Sequence, residues 1–297
     1  MTLVSNVSVV PLPRSARVPA DELLREGVAK LELAVDGGGK TVLRDLFHSQ
    51  PLRILFPLES DRDVFQAVIA CVSGGLVGGD RLQTTVKLGE KAKAVVIGQA
   101  AEKVYRSLGP DSHIENSLEV GAGGWLEWLP QETILFDGAR LRRKTVARVH
   151  RGGALLGGEI LAFGRGARGE SFTHGLLQDS WEIRDGDGAL IWKDVLHMDG
   201  DLAALLDHPA SFDGARAYGT IVFAGCARVL LASVRAALEK FSDGTLRLGV
   251  TMVRDILLVR ILGRSVIATR EVFAAIWSLL RHEAAGLPSA MPRLWEI

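Results

Sequence analysis

Apolar and polar positions alternate with a period of two along most of this chain, the spacing of a half-buried strand. Lys30–Val35 alternates weakly, and Asp36-Gly37-Gly38-Gly39-Lys40 turns the chain into Thr41-Val42-Leu43. Ile54–Leu58 and Val64–Val72 are apolar runs of strand length, and Leu82–Leu88 carries an apolar residue at every second position. From residue 82 to 164 one pattern recurs three times: a strand, a turn of small residues, a second strand. Its copies are Val86–Gln99, Leu118–Gln131 and Ala147–Glu159, and the corresponding residues Leu88, Val120 and Val149 are 32 and 29 residues apart. Such repeats suggest stacked β layers that cover one another's apolar faces. An antiparallel sandwich of similar hairpins fits the same pattern. Asp185-Gly186-Asp187-Gly188, between Trp181–Ile183 and Leu190–Leu196, predicts a hairpin. Residues 199–219 read as loop.

The period changes late in the chain. Leu230, Val234, Leu238 and Phe241 mark one face of a helix near 227–241, ended by Asp243-Gly244. Leu246–Met252 alternates as a strand, and Ile256–Leu262 reads as a buried one. A second helix near 270–284, capped by Thr269, shows Val272, Ile276, Leu279 and Leu280 on its core face and stops at Gly286-Leu287-Pro288. The expectation is a mainly β protein, a large two-layer or β-helix-like stack of sheets with about two helices in its C-terminal third. Residues 1–24, with three prolines, read as a flexible lead-in to one β-rich domain over 25–297.

Composition narrows the function. Lysine plus arginine equal aspartate plus glutamate, 35 each, so no net field recruits nucleic acid or an anionic membrane. No apolar run approaches the roughly 18 residues of a membrane span, and a cytoplasmic setting is expected. Mean hydropathy of +0.19 is high for a lone globule, which fits either a surface partly covered by other subunits or a large β core. Two cysteines, Cys71 and Cys226, are too few for a disulfide framework. The seven histidines form no zinc-ligand spacing, and neither a GxSxG elbow nor a complete P-loop around Gly39-Lys40-Thr41 is present.

The glycine-rich stretch Ser73–Asp80 reads as a shaped bend between strands, because glycine alone takes positive φ without a Cβ penalty. Asp80 closes it. Further acids are Glu102, Glu132, Glu159, Glu170 and Asp194, several of which interrupt otherwise apolar strand segments, where an unpaired carboxylate is costly. Two readings stand side by side. The acids pair with Arg106, Arg140, Arg142, Arg143, Arg165 and Arg168, or some face a water-filled passage in which oxygen ligands hold a divalent cation weakly. A β-rich hydrolase or lyase with an acidic cleft is the enzymatic alternative.

Five motifs, Ser73–Leu82, Gln99–Ser107, Trp128–Ala139, Gly164–Gly175 and Met291–Trp295, resemble the urease accessory protein UreD family, called UreH in some organisms. The resemblance runs from about residue 25 to the C-terminus. It implies a non-enzymatic scaffold with no catalytic residue and no tightly bound cofactor. Such a scaffold binds apo-urease and UreF, and UreG through UreF, in a dimer of heterocomplexes. It also implies transient Ni2+ moving through an internal tunnel, with Asp80, Glu102, Glu159 and Asp194 as candidates for its path. Gly74, Gly75, Gly78, Gly79, Tyr105, Arg106, Ser107, Gln131, Glu132, Asp137, Glu170 and His174 carry over as partner-binding or structural motif positions.

Overall fold

The computed structural model describes residues 26–57, 64–242 and 244–296. The N-terminal lead-in, Leu58 and Asp243 lie outside them. The chain opens with β1 (Glu26–Val35), β2 (Thr41–His48), β3 (Leu52–Leu55) and β4 (Phe65–Cys71). A repeating part follows: β5 (Arg81–Leu88), β6 (Lys93–Gln99), β7 (Glu102–Val104), then β8 (Ser112–Val120), β9 (Trp125–Leu129), β10 (Thr133–Leu135), then β11 (Arg140–Val149) and β12 (Ala154–Phe163). The hairpin β13 (Leu176–Asp185) and β14 (Leu190–Asp199) precedes α1 (Leu202–Asp207), β15 (Ala217–Ala224), α2 (Leu231–Glu239), β16 (Leu246–Val253), β17 (Ile256–Gly263) and α3 (Val266–Ala285).

Successive strands cross between two sheets and lie parallel to the strand one coil earlier. One sheet has the order β14-β13-β11-β8-β5-β1-β2, the other β16-β17-β15-β12-β9-β6-β4-β3, with β7 and β10 as a short third side. The repeat is therefore a stack of coils and not a sandwich of hairpins. Leu88 pairs with Val120, and Val120 with Val149, so the three corresponding residues sit directly over one another. Antiparallel strands close both ends of each sheet.

Two apolar layers result. One fills the space between the sheets, including Leu31, Val86, Leu118 and Ile183. The other lies between the second sheet and the helices, where Phe273, Ile276 and Trp277 of α3 pack on Leu156, Ile160 and Ile221. Gly158 makes that contact possible, since a Cβ there would stand 2.7 Å from the Phe273 ring.

Three sequence expectations need correction. The stretch read as loop contains α1, a six-residue helix capped by Asp201, whose carboxylate accepts from the Ala204 N–H. The helix expected near 227–241 is present as α2, but its bounds shrink to Leu231–Glu239 behind a 3-10 turn, Ala227–Leu230. Ser265, not Thr269, caps α3 and accepts from the Ala268 N–H; Thr269 is fully buried inside the helix, its hydroxyl donating to the Ser265 carbonyl. The stop at Gly286 is as expected, with φ of 66°.

Candidate functional site

Strand parity fixes what faces the space between the sheets. On the first sheet an inward row carries polar residues: Thr84, Asn116, Thr145, Trp181 and Asp194 stand side by side on β5, β8, β11, β13 and β14, with the apolar row Val86, Leu118, Ala147, Ile183 and Trp192 on one side of it. At about 4.8 Å per strand this row spans roughly 19 Å along the stack. The Asn116 amide donates to Thr145 Oγ1 at 3.1 Å. On the next level out, Arg143 of β11 and Asp179 of β13 are neighbours. The second sheet answers with Glu159, Thr220 and Arg260, in register on β12, β15 and β17. Between the sheets lies a cavity of about 100 Å3, walled by Thr84, Asn116, Glu102, Gln131, Arg143 and Glu159 among others. That is room enough for water.

Arg143 is buried and dominates the cavity. Its Nε donates to Asp179 Oδ1 at 3.0 Å, Nη1 to Thr133 Oγ1 at 2.9 Å, and Nη2 to Glu159 Oε2 at 2.6 Å and to Asp179 Oδ2. Burial works against its charge, yet Asp179 and Glu159 more than reverse that effect and raise its affinity for the proton. Burial pushes the Glu159 carboxyl up, Arg143 pulls it back, and Asp179 adds to the rise. Glu102 is pushed up to about 7, again by burial first, with Arg143 opposing and Asp80 adding. Glu102 keeps some surface open to the cavity although protein encloses it on nearly every side.

The four acids expected to mark an ion path thus meet different fates. Glu159 is paired with Arg143, and Asp194 faces inward from β14 to pair with Arg260, whose Nη1 also donates to Thr220 Oγ1 at 2.6 Å. Asp80 is buried at 2% exposure; Oδ2 accepts from the Val77 N–H at 3.0 Å, while Oδ1 has no partner among the described residues. Glu102 forms no ion pair among them. Two of the four are therefore held by arginines and two are not. Cys71 also lines the cavity, its thiol pushed up by burial and by Glu102. Among the described residues no three His, Cys, Asp or Glu side chains converge as a closed metal site.

The motif residues build the bends beside this space. Gly75 packs so closely that a Cβ would stand 2.6 Å from the Lys103 carbonyl, and one on Gly78 would stand 2.2 Å from Ser107 Oγ. Gly74 and Gly79 take positive φ in the same bend. Tyr105 donates to the Gly74 carbonyl at 3.0 Å and meets Phe136 edge-on. Ser107 donates to the Pro110 carbonyl, closing its own turn. Asp137 accepts from the Thr173 N–H at 2.7 Å, from the Thr173 hydroxyl and from the His174 N–H, while Glu170 pairs with Arg165 and accepts from the Asp137 N–H at 2.9 Å. Gln131 and Glu132 are clasped by Arg270 of α3, and Gln131 donates to the Trp295 carbonyl at 3.2 Å. Arg140 and Arg142 pair with Asp111, whereas Arg106 and Arg168 form no ion pair among the described residues.

Three participants escaped the sequence reading: Asp179, Thr133 and Arg260. Arg143 entered it only as one of several partner arginines. The signal was present as parity. Arg143 lies in the phase of Leu141 and Ala147, and Asp179 in that of Leu177 and Trp181, so both interrupt the inward-facing side of their strands.

Comparison with known proteins agrees with the motifs. The family profile described as UreD urease accessory protein matches residues 25–296. A Urease accessory protein UreD of Magnetococcus marinus is 42% identical over 275 residues, covering 92% of this chain and 94% of the relative. One of Granulibacter bethesdensis is 41% identical over 82% of this chain and 99% of its own length. A third, Urease accessory protein UreD 2 of Methylorubrum populi, is 36% identical over 96% and 93%. The enzymatic alternative finds no support among these relatives.

Proposed function

The chain belongs to the UreD urease accessory family, and from that premise we propose that it is a non-catalytic scaffold of urease maturation that conducts nickel between its two sheets. One observation carries the reading: the inner faces of a stack otherwise packed with apolar side chains keep a polar row and a cavity bearing Glu102 and Glu159. A conduit for a hard ion needs oxygen ligands that bind weakly and release, whereas a cage of cysteine and histidine retains its metal. In this reading Asp80, Glu102, Glu159 and Asp194 are stations of the path. The motif bends Ser73–Asp80, Gln131–Glu132 and Asp137–His174 shape surfaces for apo-urease and UreF, with UreG recruited through UreF into a dimer of heterocomplexes in the cytoplasm. No helix of the described residues is long and apolar enough to cross a membrane.

The test is alanine replacement of the four acids, one at a time, with the nickel content of co-expressed urease as readout. Replacement of Glu102 or Glu159 lowers that content while the accessory complex still forms. Unchanged nickel content in all four variants sinks the conduit, and failure of the purified chain to co-elute with UreF and urease sinks the scaffold.

A further inference from the structure

Arg143 Nη2 is a single point on which carboxylate oxygens from both sheets converge: Glu159 Oε2 of β12 at 2.6 Å and Asp179 Oδ2 of β13. Thr133 Oγ1 stands beside it, 2.9 Å from Nη1. Two carboxylate oxygens on one guanidinium nitrogen, with a hydroxyl oxygen on its neighbour, are oxygen donors of the kind a hard divalent cation takes. The guanidinium, itself a cation, holds that position.

Two further observations indicate that this arrangement has a second state. Glu102 lines the same cavity as Arg143, its residue is the direct strand neighbour of Thr133, and it has neither an ion pair nor a side-chain hydrogen bond among the described residues. The Trp181 indole N–H, buried at 3% exposure, lies near enough to Glu159 to favour its charged form while falling short of an ordinary hydrogen bond. A Glu159 carboxylate released by Arg143 keeps that donor beside it.

We infer that Glu159 and Asp179 form a divalent-cation site which the protein closes with its own Arg143, and that Arg143 crosses the cavity to Glu102 when a cation takes the pair. The inference rests on the nickel-conduit reading and adds where the ion pauses and why it leaves. Exchanging one cation for another keeps buried charges compensated in both states, which removes the penalty that otherwise forbids an ion in such a place. The incoming ion must displace several charge-assisted hydrogen bonds, so binding stays weak and release is easy.

The experiment is equilibrium dialysis of the full-length purified protein against nickel chloride at fixed pH, with thermal melts to follow folding. Arg143→Gln binds nickel more tightly than the wild type, on the order of tenfold or more, because it leaves two buried carboxylates without their cation. Adding Asp179→Asn to that variant abolishes the gain. Arg143→Lys, which keeps the charge but loses the fork, gives an intermediate gain. This variant decides the matter alone if Arg143→Gln does not fold: a gain supports the site and no gain overturns it. Binding by Arg143→Gln equal to or weaker than wild type overturns it, as does a gain that survives Asp179→Asn. The assay contains no urease. A gain here with unchanged urease nickel in the alanine series keeps the site and removes the conduit; the reverse keeps the conduit and removes the site.

Discussion

Two buried carboxylates on neighbouring strands of one sheet, Glu127 of β9 and Glu159 of β12, point to opposite faces and live under opposite rules. Glu127, at 0% exposure, lies in the layer beneath α3. It accepts from Trp125 Nε1 at 3.1 Å, Trp277 Nε1 at 2.8 Å and Arg281 Nε at 3.3 Å. Every side of it is occupied by a donor from the sheet or the helix, so it ties α3 to the sheet and has nowhere to go. Glu159 faces the other way, into a cavity that Glu102 also lines, with one arginine shared with a second acid and the Trp181 indole nearby. A satisfied buried network rigidifies, whereas a partly satisfied one beside free volume is able to rearrange. The contrast separates a charge locked on every side from one with space beside it, without reference to residue type.

The largest expected effect tests the first half of that contrast. Glu127→Ala strands Arg281, itself 2% exposed, together with two indole N–H groups. It lowers unfolding free energy by about 3–5 kcal/mol in chemical denaturation. A loss no greater than that of Glu159→Ala erases the difference between the two layers.

Next is the pH dependence of the cavity. Glu102 binds its proton more tightly folded than unfolded, about 7 against 4.5. Its favourable contribution is therefore fully present below pH 4.5 and disappears as pH rises through about 7. The change amounts to roughly 3 kcal/mol. Denaturation midpoints of the wild type fall across that window, and Glu102→Gln, which has no proton to lose, flattens the fall. An equally steep fall in the variant removes Glu102 from the account.

Glu182, on the outer face of the first sheet, sharpens the comparison from outside. Hydrogen bonds from Arg184 and Lys193, with Lys144 nearby, outweigh its burial and hold its carboxyl down to about 2. Its stabilisation is present above pH 4.5 and is lost as pH falls through about 2, the opposite sign to Glu102. Its lysine partners are half exposed, so Glu182→Gln changes stability by only about 1 kcal/mol at neutral pH. The wild-type excess over this variant shrinks on acidification, measured by the same midpoints.

Much of the fold could be read from the chain because its causes are local. The period-two runs became strands, the aligned copies at Leu88, Val120 and Val149 became neighbours in one ladder, and Asp185–Gly188 became a hairpin turn. Capping was less legible. Ser265 and Thr269 both suit a cap, and the choice between them depends on where α3 meets the sheet, which placed Thr269 in the core. The short α1 escaped because six residues carry too little periodicity to stand out from a loop. For the candidate site, the acids were visible as charges in apolar runs, and strand parity held the clue to Arg143 and Asp179. Their meeting was not visible.

What the sequence by itself determined was a stack of alternating strands, the glycine bends that turn it, and membership of a family recognisable from ordered motifs. What only the tertiary structure decided was which charge meets which. Asp179 is 36 residues from Arg143, and Asp194 is 66 from Arg260. Alternation tells each side chain which face it takes, but the strand opposite, and so the counter-ion, is chosen by how the coils stack. That choice is a long-range packing result, which no local pattern encodes.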